Sequence, residues 1–182
     1  DHELRIGIKK VTDGLFSTWA TSALEAGMVV DVMPPEGHFH VPFDATSQRS
    51  YLAIAAGSGI TPIFSIMKST LLAEPNSRFT LVYGNRASST IMLRDDIANL
   101  KDRFLDRVSV IHVMSREKQD IDLFNGRIDA EKFRQLAQQW ISLTDVDHVF
   151  MCGPQTMMIQ LTESLTSLGI RNERIHKELF GV

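Results

Sequence analysis

A single cysteine, Cys152, stands in 182 residues. One thiol excludes an internal disulfide, a thiolate zinc site and a four-cysteine iron–sulfur cluster built from this chain alone. No apolar run approaches the roughly 18 residues that a membrane helix needs, and Asp1-His2-Glu3-Leu4 does not open a signal peptide. A soluble, cytoplasmic protein with no membrane partner is expected. Basic residues are not in excess: 19 Lys+Arg against 22 Asp+Glu leave a formal charge of −3, and no cluster of five or more Lys/Arg occurs. A nucleic-acid partner is therefore not expected. His-Glu-x-x-His, the Lys-Ser/Thr ending of a Walker loop and nucleophile-elbow spacing around Ser58 are all missing, which sets aside the metalloprotease, P-loop and α/β-hydrolase classes. His38 and His40 could share a strand face, but with no third ligand no metal site is expected. What is present is an ordinary globular composition, 43% hydrophobic and 23% charged. A domain of about 150 residues already buries roughly 68–70% of its unfolded surface, so a core forms without staples.

Residues 1–48 predict a β-rich unit. Leu4, Ile6 and Ile8 alternate with Arg5, Gly7 and Lys9, and a second strand is predicted from Met28 to Met33. Between them Ser17 is a candidate N-cap for a short helix carrying Trp19, Ala23 and Leu24, with Gly27 ending it in a left-handed conformation. The polar stretch Asp44–Arg49 suits a linker, and a second unit, 49–182, begins there. From Tyr51 short apolar strands alternate with amphipathic helices. The strands are Tyr51–Ala56, Phe79–Tyr83, Val108–Val113, His148–Cys152 and Arg174–Glu178. Helical faces are marked by Ile63, Ile66, Met67 and Leu71, by Ile97, Leu100 and Phe104, by Phe133, Leu136 and Trp140, and by Met158, Leu161 and Leu165. This pattern predicts an α/β fold, a doubly wound five-stranded parallel sheet whose ligand cleft lies outside the carboxyl ends of its strands.

The loops at those carboxyl ends hold the candidate chemistry. The first strand runs through Gly57-Ser58-Gly59-Ile60-Thr61-Pro62 into a helix. Two glycines permit close backbone approach, Thr61 is a candidate cap, Pro62 fits the first turn, and free helical N–H groups can receive a pyrophosphate. A plain strand-to-helix turn is the alternative, because the third glycine of the dinucleotide fingerprint is missing and Tyr83-Gly84-Asn85-Arg86 stands where a ribose-binding acid would follow the second strand. Ser115-Arg116 follows the third strand, and Arg127 follows Asn125-Gly126. Two arginines there either grip an adenosine 2′-phosphate, favouring NADPH over NADH, or are solvated loop residues. Cys152-Gly153-Pro154 closes the fourth strand at the same edge. Its thiol faces the cleft, or is an inert buried hydrophobe.

Taken in order, Gly14-x-x-Ser17, Pro35-x-Gly37-x-Phe39, Gly57-Ser58-Gly59-Ile60-Thr61-Pro62, Tyr83-Gly84-Asn85-Arg86, Ser115-Arg116, Cys152-Gly153-Pro154 and Glu178-x-Phe180 resemble the ferredoxin–NADP reductase family. Within it the chain is similar to reductase components of bacterial multicomponent oxygenases, those of phenylacetate degradation in particular. The resemblance implies an NAD(P)-binding α/β domain at 49–182, preceded at 1–48 by the end of an antiparallel FAD-binding β-barrel. It implies an NADPH-dependent reductase passing electrons through FAD and a [2Fe–2S] domain to an oxygenase. By the same resemblance Gly14 and Ser17 lie at the FAD pyrophosphate and Gly57 and Gly59 near the NADPH pyrophosphate, with Ser58 and Pro62 also binding the cofactor. Arg86, Ser115, Arg116 and Arg127 belong to the nucleotide site, the last three around the 2′-phosphate. Thr61 and Cys152 lie near the nicotinamide, Gly153 and Pro154 also bind the cofactor, and Glu178 and Phe180 lie near the flavin ring, with Thr61, Cys152 and Glu178 as the catalytic candidates. The family's Arg-x-Tyr-Ser flavin motif and its cluster cysteines are missing, so the chain reads as a fragment with an incomplete FAD site. A non-catalytic nucleotide-binding domain that docks to an oxygenase is the alternative.

Overall fold

The computed structural model describes residues 4–34 and 36–179; Pro35 and Phe180, both named above, lie outside them. Two compact units divide between His38 and Phe39.

In the first unit the described residues form one helix, α1 (Leu15–Ser22), and no paired strand. The segments predicted as strands are solvent-facing, with Leu4 at 81% and Val29 at 95% exposure. Alternation marks which side chains a strand would bury, but a strand forms only where a neighbour completes its ladder, and no such neighbour is found among this unit's described residues. The predicted cap is also displaced. Gly14 holds the N-cap position of α1. Ser17 sits in the first turn, where its hydroxyl accepts from the Val11 N–H at 3.0 Å and donates to the Gly14 carbonyl at 3.4 Å. The helix stops at Ser22, short of Gly27, with the Thr21 and Ser22 hydroxyls bonded back to Ser17 and Thr18 carbonyls, local bonds that compete with helix continuation.

The second unit follows the predicted alternation. Its strands are β1 (Ser50–Ala56), β2 (Arg78–Asn85), β3 (Val108–Met114), β4 (Val146–Cys152) and β5 (Ile175–Glu178). All pair in parallel, in the order β3-β2-β1-β4-β5. The intervening helices are α2 (Ile60–Ala73), α3 (Arg94–Arg103), α4 (Ala130–Gln139) and α5 (Gln155–Ser167). Tyr51 through Ala55 are wholly buried, as befits a central strand covered on both faces. Leu52, Ile54, Val149 and Met151 share one core with Phe133, Leu136, Leu161 and Leu165 of α4 and α5. Tyr51, Ala53, Tyr83 and Phe150 share the other with Ile63, Met67 and Leu71 of α2 and with Ile97 and Leu100 of α3. Trp140 departs from expectation. Helix α4 ends at Gln139, Ile141 takes the core position, and Trp140 lies half exposed, edge-on to Phe124.

The amino end of the sheet is fastened by a buried carboxylate. Glu74, just past α2, accepts from the Tyr51 hydroxyl (2.9 Å), the Ser77 hydroxyl (2.7 Å), the Arg49 guanidinium (3.1 Å) and the Asp44 N–H (3.1 Å). Arg107 donates to the carbonyls of Leu71, Glu74 and Ser77 at 2.9–3.1 Å. Buried charge survives because every oxygen is met by a donor. Nearby, His148 and His176 share a hydrogen bond of 3.1 Å between ring nitrogens, and burial holds both imidazoles below their ordinary range.

Candidate functional site

The order of the strands reverses beside β1, where β1 lies between β2 and β4, and such a switch point opens a crevice at the carboxyl ends. The chain leaves β1 through a 3-10 turn, Gly57–Gly59, with Gly57 at φ +54°. Gly59, not Thr61, is the N-cap of α2. Thr61 is already helical, and its hydroxyl donates to the Ser58 carbonyl at 3.1 Å. The glycine turn starts the helix earlier than the hydroxyl pattern suggests. Pro62 remains in the first turn, where it forfeits no helical bond.

Gly59 packs directly on β4. A Cβ there would overlap the Cys152 carbonyl, lying 2.6 Å from its carbon and 3.1 Å from the Gly153 nitrogen. Gly153 is less confined, because its Cβ would meet the movable Met157 terminal methyl at 2.6 Å and Ala56 at 3.1 Å. Pro154 then serves as N-cap of α5. The turns after β1 and β4 therefore touch backbone to backbone.

On the other flank, the loops after β2 and β3 are clasped together. Ser115 N–H donates to Asn85 O (2.9 Å) and Arg116 N–H to Arg86 O (2.8 Å). The Glu117 carboxylate accepts from the N–H and hydroxyl of Ser88, both at 2.9 Å, which hold its carboxyl below the usual range. Asn125 pins the following loop by accepting from Gln119 N–H (2.7 Å) and donating to the Gln119 carbonyl (3.0 Å), and it bridges to Met114. The structure thus brings Gly57, Ser58, Gly59, Thr61, Pro62, Arg86, Ser115, Arg116, Arg127, Cys152, Gly153, Pro154 and Glu178 to the carboxyl edge of one sheet. Gly14 and Ser17 belong to the other unit, and Phe180 lies outside the described residues. Sequence reading missed Ser88 and Glu117, 29 positions apart, and the structural part played by Asn125. Only the Asn125-Gly126 turn signal hinted at the last.

Residues 53–163 match the family model described as the oxidoreductase NAD-binding domain. The chain belongs to that family. It is 43% identical over 178 residues to a component of the 1,2-phenylacetyl-CoA epoxidase of Escherichia coli (strain K12), covering 98% of this chain and 50% of that protein. It is 33% identical over 180 residues to the ferredoxin reductase component of 3-ketosteroid-9-alpha-monooxygenase from Mycobacterium tuberculosis (strain ATCC 25618 / H37Rv), covering 99% and 46%. Among solved structures, the cytochrome b5 reductase domain of Ulva prolifera nitrate reductase superposes with a TM-score of 0.75 at 25% identity, over 91% of this chain and 66% of that one. The chain spans about half the length of the curated relatives it matches. The family drawn from the loop motifs is thus the family found, and the doubly wound sheet is its fold.

In this NAD-binding domain the donor set suits a phosphorylated dinucleotide. The side chains of Arg86, Arg116 and Arg127 are exposed and form no hydrogen bond or ion pair with described residues. Glu117, the carboxylate of the clasped loops, is already committed to Ser88. The guanidinium groups and a helix N-terminus both favour anionic oxygen. Cys152 lies level with Ala55 and Glu178 in the ladder and is wholly buried. Burial, and then the Glu178 carboxylate, push its thiol up to about 11. The buried thiol is thus kept neutral near pH 7, the form that is not nucleophilic. Cys152 is expected to resist iodoacetamide in the native protein at about pH 7.5 and to react only after denaturation, as read by mass spectrometry.

Proposed function

We propose that this chain is the nucleotide-binding part of an NADPH-dependent flavoprotein reductase that delivers electrons to an oxygenase, phenylacetyl-CoA epoxidase by likeness to the E. coli protein. The observation that carries the reading is the gathering of a glycine turn, a helix N-terminus and three guanidinium groups unpaired among the described residues on one edge of an NAD-binding sheet. Ser115, Arg116 and Arg127 would hold the 2′-phosphate, with Arg86 beside them, and Gly57, Ser58, Gly59 and Pro62 the pyrophosphate. Thr61, Cys152, Gly153 and Pro154 would bound the nicotinamide. The neutral Cys152 thiol, wholly buried, would back the site from within the core and exclude water without competing for its reaction. Glu178, one strand over, supplies a carboxylate in register with it.

Residues 1–48 would form the end of an FAD-binding barrel, with Gly14 and Ser17 at the flavin pyrophosphate, and Glu178 and Phe180 near its ring. A [2Fe–2S] centre would lie on a further domain, since this chain has one cysteine. When bound, NADPH and FAD supply hydride transfer between their rings and release of single electrons. The setting is cytoplasmic. No helix among the described residues is long and apolar enough to cross a membrane.

The test is a titration of the chain with NADPH and NADH, followed by flavin absorbance and NADPH-driven dye reduction in the full-length protein. Tight NADPH binding, bound flavin and turnover are expected. Nucleotide binding without flavin or turnover would favour a non-catalytic docking domain instead.

A further inference from the structure

Tyr83 belongs to none of the groups assigned so far, yet it reaches the glycine turn. Its ring is wholly buried in β2, paired with Ala55 of β1, and its hydroxyl donates to the Gly57 carbonyl at 2.8 Å. The same carbonyl accepts from the Ile60 N–H, so its acceptor capacity is filled. Burial pushes the phenol up to about 12, which keeps it a donor through the neutral range.

We propose that Tyr83 is a positioning residue for dinucleotide binding, its hydroxyl locking the Gly57–Ser58 peptide so that the Ser58 N–H faces the pyrophosphate. The geometry follows from the planar trans peptide, in which a carbonyl and the next N–H point in opposite directions. With the Gly57 carbonyl drawn inward to Tyr83, the Ser58 N–H is turned outward. Glycine needs such a lock. Without a Cβ, Gly57 (φ +54°) tolerates a wide range of ψ, the torsion that swings its carbonyl and the Ser58 N–H together, and a swung peptide would aim that N–H away from an anion. Only the locked fraction binds, so the apparent affinity scales with that fraction. The inference rests on the nucleotide-binding reading and specifies how one of its backbone donors is set.

The test is Tyr83→Phe, which keeps the ring and removes the hydroxyl. Dissociation constants are measured by calorimetry for NADPH, for ADP-ribose, and for adenosine 2′-monophosphate, which lacks the pyrophosphate. Losing one hydrogen bond should weaken NADPH and ADP-ribose roughly three- to tenfold and leave adenosine 2′-monophosphate unchanged. Equal weakening of all three ligands, as from general loosening, or no change in any, would overturn the role of Tyr83. Failure of the unsubstituted protein to bind ADP-ribose would instead remove the nucleotide reading itself. Should the variant melt too low to assay, amide spectra of the unsubstituted protein decide. ADP-ribose should shift the Ser58 amide and adenosine 2′-monophosphate should not; an unmoved Ser58 amide overturns the proposal.

Discussion

Gly59→Ala is expected to lower the melting temperature by roughly 10 °C and to abolish nucleotide binding. Alanine is ordinarily the better helix residue by about 1 kcal/mol, and Gly59 has right-handed dihedrals, φ −59° and ψ −10°, so backbone conformation raises no objection. The objection is steric. The new methyl would occupy the Cys152 carbonyl, and a backbone carbonyl in a ladder has no alternative rotamer. Relief requires the turns after β1 and β4 to separate, an overpacking cost of about 3 kcal/mol, which for a chain of this size corresponds to the stated drop. Gly169→Ala provides the contrast. Gly169 has φ +93° and no atom within 4 Å of its Cβ, so only left-handed strain applies, about 1–2 kcal/mol, and binding should survive. Thermal melts of the two variants with NADPH titrations would check this. Gly59→Ala as stable as the parent would refute the close contact.

Arg116→Ala should weaken NADPH roughly ten- to a hundredfold and leave NADH nearly unchanged. A charge-assisted bond to a phosphate is worth about 1.5–3 kcal/mol, and only NADPH carries the 2′-phosphate. The substitution spares the loop, because Arg116 is anchored through its backbone N–H to Arg86 O, which alanine retains. Glu117 stays on Ser88 for the same reason. Fluorescence titration with both nucleotides reads the ratio directly. Equal loss for the two would remove Arg116 from the 2′-phosphate, and with it the preference for NADPH.

The sheet was legible because its strands are apolar on both faces. Tyr51–Ala55 or Val149–Cys152 fits little else between turn residues, and the observed strands differ from the expected ones by only a few terminal residues. Legibility failed where structure depends on partners distant in sequence. Leu4–Lys9 has the alternation of a strand but no neighbour in the described chain. Ser17 and Thr61 are good caps by type, yet Gly14 and Gly59, a little upstream, set the helix starts. The Glu74 cluster joins residues 3 to 30 positions apart, and nothing local marks Glu74 as buried. In the candidate site the same division holds. Glycines and arginines advertise themselves at strand ends, whereas Tyr83 looks like any strand tyrosine, and its reach to Gly57 is a product of β1–β2 register.

The anchorage around Glu74 and Arg107 has an implication for how such a domain can be altered. It sits at the opposite end of the strands from the glycine turn, roughly 20 Å away at about 3.3 Å per residue. Much of the thermodynamic ballast thus lies away from the chemical vocabulary. The loops beyond Asn85 and Met114 can be rewritten toward another nucleotide while the far foundation, gripping Arg49, Tyr51 and Ser77, keeps the strands in line.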